Sequence, residues 1–174
     1  MKNQNVKFLP WPQFFSELVG AALLVLVGLS LVIVMFGSGS PVSRVLPGEG
    51  LRRLITGFLF GTTGALIALS PVGKVSGAHI NPVVTLGFWL MRKLDGSIAA
   101  GYILSQLAGG IIGAVPLVVW GSMGRSVAYG ATLPGEGFTT MTVFLGEVIT
   151  TFAMVSLLVI FLGFRKIRPF TPAL

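Results

Sequence analysis

The sequence predicts an all-α membrane protein, with four transmembrane helices and one re-entrant half-helix in a single domain over residues 1–174. Of its 174 residues, 53% are hydrophobic and 10% charged, and the mean hydropathy is +0.91, far from the averages of soluble globular domains. The apolar residues fall in four runs near the roughly 20 residues that cross a hydrocarbon core about 30 Å thick. A fifth, shorter apolar run contains an Asn-Pro pair suited to a helix start. The formal charge of +7 sits in short clusters between apolar runs rather than along one face, so no nucleic-acid partner is expected. Cysteine is absent, which excludes disulfides, zinc–thiolate sites and cysteine nucleophiles. His79 is the single histidine, so sites needing two imidazoles are excluded as well. No metal or cofactor is expected.

The long runs are Phe14–Phe36, Leu54–Ser70, Ile98–Trp120 and Val143–Phe164; the second is near the lower limit for crossing unless it extends at its ends. The first follows Lys2 and Lys7 but is too long for a signal-peptide core and has no A-x-A site after it, so it is read as retained. Lys2, Lys7, Lys74, Arg92, Lys93, Arg165, Lys166 and Arg168 put eight basic residues on one side, against four (Arg44, Arg52, Arg53 and Arg125) on the other. The positive-inside rule then makes both termini cytoplasmic in a multi-pass protein of the cell membrane. The Gly-rich stretch 121–140, charged only at Arg125 and Glu136, is expected outside as a connector or as cover for a vestibule.

Residues 75–91 form the short run. Pro82 suits the first turn of a helix and Asn81 suits its cap. About ten residues from Pro82 would make a helix of roughly 15 Å, half the core thickness. Lys74 and the Arg92-Lys93 pair flank the run on the same side, which implies entry and return. Composition alone also admits a surface amphipathic helix or an apolar loop. Backbone at membrane depth is tolerated where protein or a wet cavity surrounds it.

Within Ser76-Gly77-Ala78-His79-Ile80-Asn81-Pro82-Val83, small residues permit close backbone approach and Asn81 offers both donor and acceptor. An extended segment here would point carbonyls of Gly77, Ala78 and His79 into a cavity. The helix start would add uncovered N–H groups and a partial positive charge unfavourable to cations. Such a site can replace the hydration of water or an alcohol without a charged ligand. It has no nucleophile with a base and no carboxylate pair, so permeation rather than enzymatic chemistry is expected. Plainer roles stay open: Asn81 as a cap, His79 as a packed core residue.

Glu17 and Glu147 are the acids inside the spans, each costing about 2.5–3.5 kcal/mol at a helix centre by insertion scales, so both are expected to face protein. Their contexts, Phe15-Ser16-Glu17-Leu18-Val19 and Leu145-Gly146-Glu147-Val148-Ile149, hint at an internal repeat with inverted halves. Accepting N–H bonds from irregular backbone such as the 76–81 loop is the favoured role; a proton relay or an embedded acid catalyst is the other. Gly101, Ser105, Gly109 and Gly113, and likewise Gly57, Gly61 and Ala65, recur at four-residue spacing, predicting close helix contacts on both faces.

Ser76 to Thr85, with Glu17, Tyr102-Ile103, Gln106, Glu147 and Thr151-Phe152, resembles the major intrinsic proteins, the aquaporin and glycerol-facilitator family. The resemblance covers nearly everything from Phe14 to Arg165. It implies an aquaporin-like bundle of six spans and two half-helices meeting at the midplane, with one pore per subunit and a homotetramer in the bilayer. It further implies that Asn81 is the first pore asparagine, that the carbonyls of Gly77, Ala78 and His79 form a ladder, and that Glu17 and Glu147 brace the two loops. Val83 replaces the family's common Ala after Pro82. An ungapped count places the family's constriction aromatic at Gly61, and a one-residue gap places it at Phe60. Gly61 implies a wide constriction that passes polyols, urea or metalloid acids alongside water. The family's last two spans, second half-helix and selectivity arginine are not among these residues, so a truncated or fragmentary channel is expected. The alternative is a non-conducting membrane subunit that assembles with full-length relatives.

Overall fold

A computed structural model describes residues 9–135, 137–164 and 166. Among them the elements are helical: α1 (Trp11–Phe36), α2 (Val42–Val45), α3 (Glu49–Leu69), α4 (Gly73–Ser76), α5 (Pro82–Leu90), α6 (Gly96–Ala114), α7 (Gly121–Arg125) and α8 (Thr140–Gly163). Short 3-10 segments occupy Val115–Trp120 and Ala128–Gly130. Lys2, Lys7, Glu136, Arg165 and Arg168 lie outside the described residues.

Among the described residues three stretches are long and apolar enough to cross a membrane: Trp11–Phe36, Gly96–Arg125 and Thr140–Gly163. The expected second span belongs to α3, whose first turns carry Glu49, Arg52 and Arg53, so its uncharged part begins at Leu54. Arg52 Nη1 donates to the Met35 carbonyl at 2.6 Å, and its guanidinium lies over the Phe36 ring, tying the start of α3 to the end of α1. The expected third span is not one regular helix. Pro116 has no N–H for the ladder, so α6 tightens into the 3-10 segment and the chain breaks at Gly121 (φ 54°) before α7.

Two helix contacts set the architecture. A Cβ on Gly109 or Gly113 would lie 2.2 Å from the Leu18 or Ala22 carbonyl oxygen respectively, and one on Gly101 would lie 2.3 Å from the Phe14 ring. Glycine is therefore required for α6 to meet the backbone of α1. The contacting numbers rise together, so α1 and α6 run parallel. On the other face of α1, Gly20 meets Ile67, Leu24 meets Gly64, and Gly28 meets Phe60. These numbers run in opposite directions, so α3 is antiparallel to α1.

It follows that α3 ends and α6 begins at the end of the bundle where α1 starts. The connection between them enters and returns. It reaches along α1 as far as Gly20, which Ile80 contacts, roughly 14 Å from Trp11 at the helical rise per residue. Nine-residue α5 covers about the same distance back.

Gly57 and Gly61, expected at a helix contact, have no atom within 4 Å of a Cβ position. The stripe faces open space because α1 packs instead against the Phe60, Gly64 and Ile67 side of α3. Leu158 is the only buried residue of α8 among the described residues.

Candidate functional site

The centre of the site is a buried carboxylate. Glu17 is fully buried. Its Oε1 accepts from the His79 N–H at 2.9 Å, while Oε2 accepts from the Ile80 N–H and Gln106 Nε2, both at 2.7 Å. Each oxygen thus has a donor from the irregular backbone, and Oε2 has a second from α6, which offsets the cost of burying the group.

The backbone that Glu17 holds is strained. Gly77, Ala78 and Ile80 have φ of 89°, 49° and 40°. The left-handed region is easy for glycine but costs of order 1–3 kcal/mol at each non-glycine residue, most sharply at a β-branched one such as Ile80. Further bonds fix the loop: Ser16 Oγ donates to the Val72 carbonyl at 2.6 Å and contacts Ser76 Oγ at 2.9 Å. Tyr102 Oη donates to the Ser76 carbonyl at 2.9 Å, and the Ala78 N–H donates to Ser76 Oγ at 3.1 Å.

Carbonyl directions follow from peptide planarity. In a trans unit the C=O points opposite to the following N–H. The N–H groups of Ala78, His79 and Ile80 point toward Ser76 and Glu17, so the carbonyls of Gly77, Ala78 and His79 point away from them. On that side lies a cavity of about 450 Å³ lined by Gly77, Ala78, His79, Ile80 and Asn81. The other walls are mostly apolar: Leu24, Phe60, Gly61, Gly64, Ala65, Ala68, Val84 and Phe88, with Met154, Leu158 and Leu162 from α8. No Asp, Glu, Lys or Arg lines it among the described residues.

Asn81 sits at the start of α5 in extended conformation (φ −149°). Its Oδ1 accepts from the Val83 N–H at 2.8 Å, the expected cap, and Pro82 follows in the first turn. With the oxygen so committed, the amide NH2 has no protein partner among the described residues. Val83 supplies that cap N–H but does not line the cavity; Val84 does.

The His79 ring is buried away from the carbonyl ladder. Its Nδ1 lies 3.2 Å from Thr85 Oγ1, and the ring packs on Phe88 and Tyr102 at 4.5 and 5.2 Å between centroids. Thr85 Oγ1 accepts from Gln106 Nε2 at 2.9 Å and approaches the Asn81 carbonyl at 3.3 Å. Thr85, Ser16 and Ser76 received no role from sequence. The signal was available in part, because a fully buried hydroxyl needs partners, but burial itself is not written in the sequence.

The Major intrinsic protein family model matches residues 2–167. The chain belongs to the major intrinsic protein family. Its relatives include aquaporin AqpM of Methanothermobacter marburgensis, 31% identical over 149 residues, covering 80% of this chain and 60% of that protein. The lens fiber major intrinsic protein of Gallus gallus is 34% identical over 134 residues, 73% of this chain and 46% of the relative. Aquaporin Z of Photorhabdus laumondii is 33% identical over 131 residues, 69% and 56%. The chain spans about half the length of the curated relatives it matches. As a major intrinsic protein with apolar membrane-length helices, it is an integral membrane protein with an aquaporin-like helical bundle.

Glu147 does not share the environment of Glu17. It is exposed on α8, and its carboxylate meets no partner among the described residues. Within this chain it therefore does not face protein: among the described residues no backbone N–H donates to its carboxylate.

Proposed function

We propose that this chain builds a passive channel for water and small neutral solutes of the polyol, urea or metalloid-acid class. The observation that carries the reading is the cavity with aligned carbonyls on one wall, a free amide NH2 on Asn81, and apolar side chains elsewhere. A water or hydroxyl there accepts from Asn81 and donates to the carbonyls of Gly77, Ala78 and His79, so its hydration is replaced. An ion finds no opposite charge, and a cation meets the positive end of α5. Glu17 braces the loop and Pro82 fixes the half-helix start. Gly61 adds no side chain to the opposite wall, which favours solutes wider than water. Catalysis has no support in this arrangement, since the carboxylate nearest the cavity is spent on backbone.

In the same reading, residues 75–91 are re-entrant in a cell membrane and both termini are cytoplasmic, on the side of exposed Lys74, Arg92 and Lys93. The family resemblance supports a homotetramer with one pathway per subunit. Stopped-flow light scattering of proteoliposomes tests the proposal. Faster osmotic shrinkage with a low activation energy, and measurable glycerol or urea entry, are expected; rates equal to those of empty liposomes contradict it.

A second reading is favoured by Glu147. An exposed acid on a helix of membrane length is costly in lipid, and a neighbouring chain offering N–H donors would relieve it. A non-conducting subunit assembling with full-length relatives fits that feature. In that case the purified chain gives no flux, yet alters the oligomer yield of a co-expressed relative.

A further inference from the structure

We propose that Gly28, a buried residue of α1 outside the cavity wall, sets the width of the cavity by giving the Phe60 ring a place to lie. The inference rests on the channel reading and names the residue that governs which solutes such a channel admits.

A Cβ at Gly28 would lie 2.2, 2.5 and 2.7 Å from Cε2, Cζ and Cδ2 of Phe60. The ring edge therefore occupies the volume that any other residue at position 28 would fill. Phe60 also lines the cavity, next to Gly61, where a Cβ would meet nothing within 4 Å. One bulky aromatic thus stands at the boundary between a packed notch and open space.

With a methyl at position 28, something must move. Separation of α1 from α3 is opposed by the neighbouring rungs, where Gly64 approaches Leu24 and Gly20 approaches both Ile67 and Ile80. The last of these contacts also holds the strained loop. Overpacking a fitted contact is relieved first by side-chain rotation, and the free volume available to the Phe60 ring is the cavity beside Gly61. Gly28→Ala accordingly narrows the passage without placing an atom in it. Phe60 then acts as the constricting group, and Gly28 is its positioning residue.

The absence of cysteine permits a direct test on the full chain. Gly61→Cys introduces a thiol on the cavity wall, and its reaction with N-ethylmaleimide is followed by mass spectrometry. Adding Gly28→Ala is expected to slow labelling several-fold, and adding Phe60→Ala to that variant is expected to restore it. An unchanged rate, or slowing that Phe60→Ala does not reverse, overturns the proposal.

Should Gly28→Ala fail to fold, Phe60→Trp in the native Gly28 background overfills the notch and is expected to slow labelling as well; an unchanged rate overturns the proposal. In proteoliposomes Gly28→Ala is expected to lower glycerol flux more than water flux. Absence of flux in the unmodified chain refutes the channel reading, while the labelling result still decides the role of Gly28.

Discussion

Replacing Glu17 by Gln removes a charge and converts one acceptor oxygen into a donor, with almost no change in volume. Whichever way the new amide turns, its oxygen faces either the His79 N–H or the pair formed by the Ile80 N–H and Gln106. At least one buried backbone N–H then meets an NH2. Losing a charge-assisted bond and leaving its donor unpaired costs about 2–3 kcal/mol. The strain at Ala78 and Ile80 is of the same order, so the remaining bonds no longer hold both residues in the left-handed region.

The shift in melting temperature that corresponds to this loss is roughly 5–10 °C for a chain of this size. Intrinsic tryptophan fluorescence in detergent reads it, with Trp89 reporting from the last turn of α5. Osmotic flux in proteoliposomes is expected to fall together with the melting temperature. Glu147→Gln serves as the control, because the carboxylate it replaces has no partner among the described residues, and it is expected to leave the melting temperature unchanged. A Glu17→Gln protein with unaltered melting and flux would refute the claim that this carboxylate holds the loop.

Gly113→Val forces side-chain atoms onto the Ala22 carbonyl, whose oxygen lies 2.2 Å from the Cβ position; loss of monodisperse protein in size-exclusion chromatography is expected, since α1 and α6 cannot separate without losing their shared core. Tyr102→Phe removes the hydrogen bond to the Ser76 carbonyl, worth about 1 kcal/mol, and should lower the melting temperature by roughly 2–4 °C. Gly61→Trp is expected to cut polyol flux more than water flux in stopped-flow measurements; equal reduction of both would show that Gly61 does not set solute size.

The long helices were legible because their apolar runs approach membrane thickness, and the Asn81-Pro82 pair announced the start of α5. The bracing by Glu17 was legible too, since an acid in an apolar span needs donors and the adjacent loop has unpaired N–H groups. Other features depend on three-dimensional packing. Spacing identified small-residue faces on α3 and α6 but not what they meet: Gly109 and Gly113 touch the backbone of α1, whereas Gly57 and Gly61 face open space. Propensity argues against a left-handed Ile80, which is held there by a carboxylate distant in sequence. Glu147 repeats the local context of Glu17 without its environment, because context within a helix does not specify the neighbour. Pro116 carried a readable signal for the break in the third span, which hydropathy concealed.

In the proposed channel the connection between α3 and α6 enters the bilayer partway and returns. Single Lys74→Cys and Lys93→Cys variants, both at exposed positions, can be reacted with a membrane-impermeant maleimide in sealed vesicles of known orientation. Labelling of both from the same face is the predicted result; labelling from opposite faces would mean that the segment crosses, and would contradict the account.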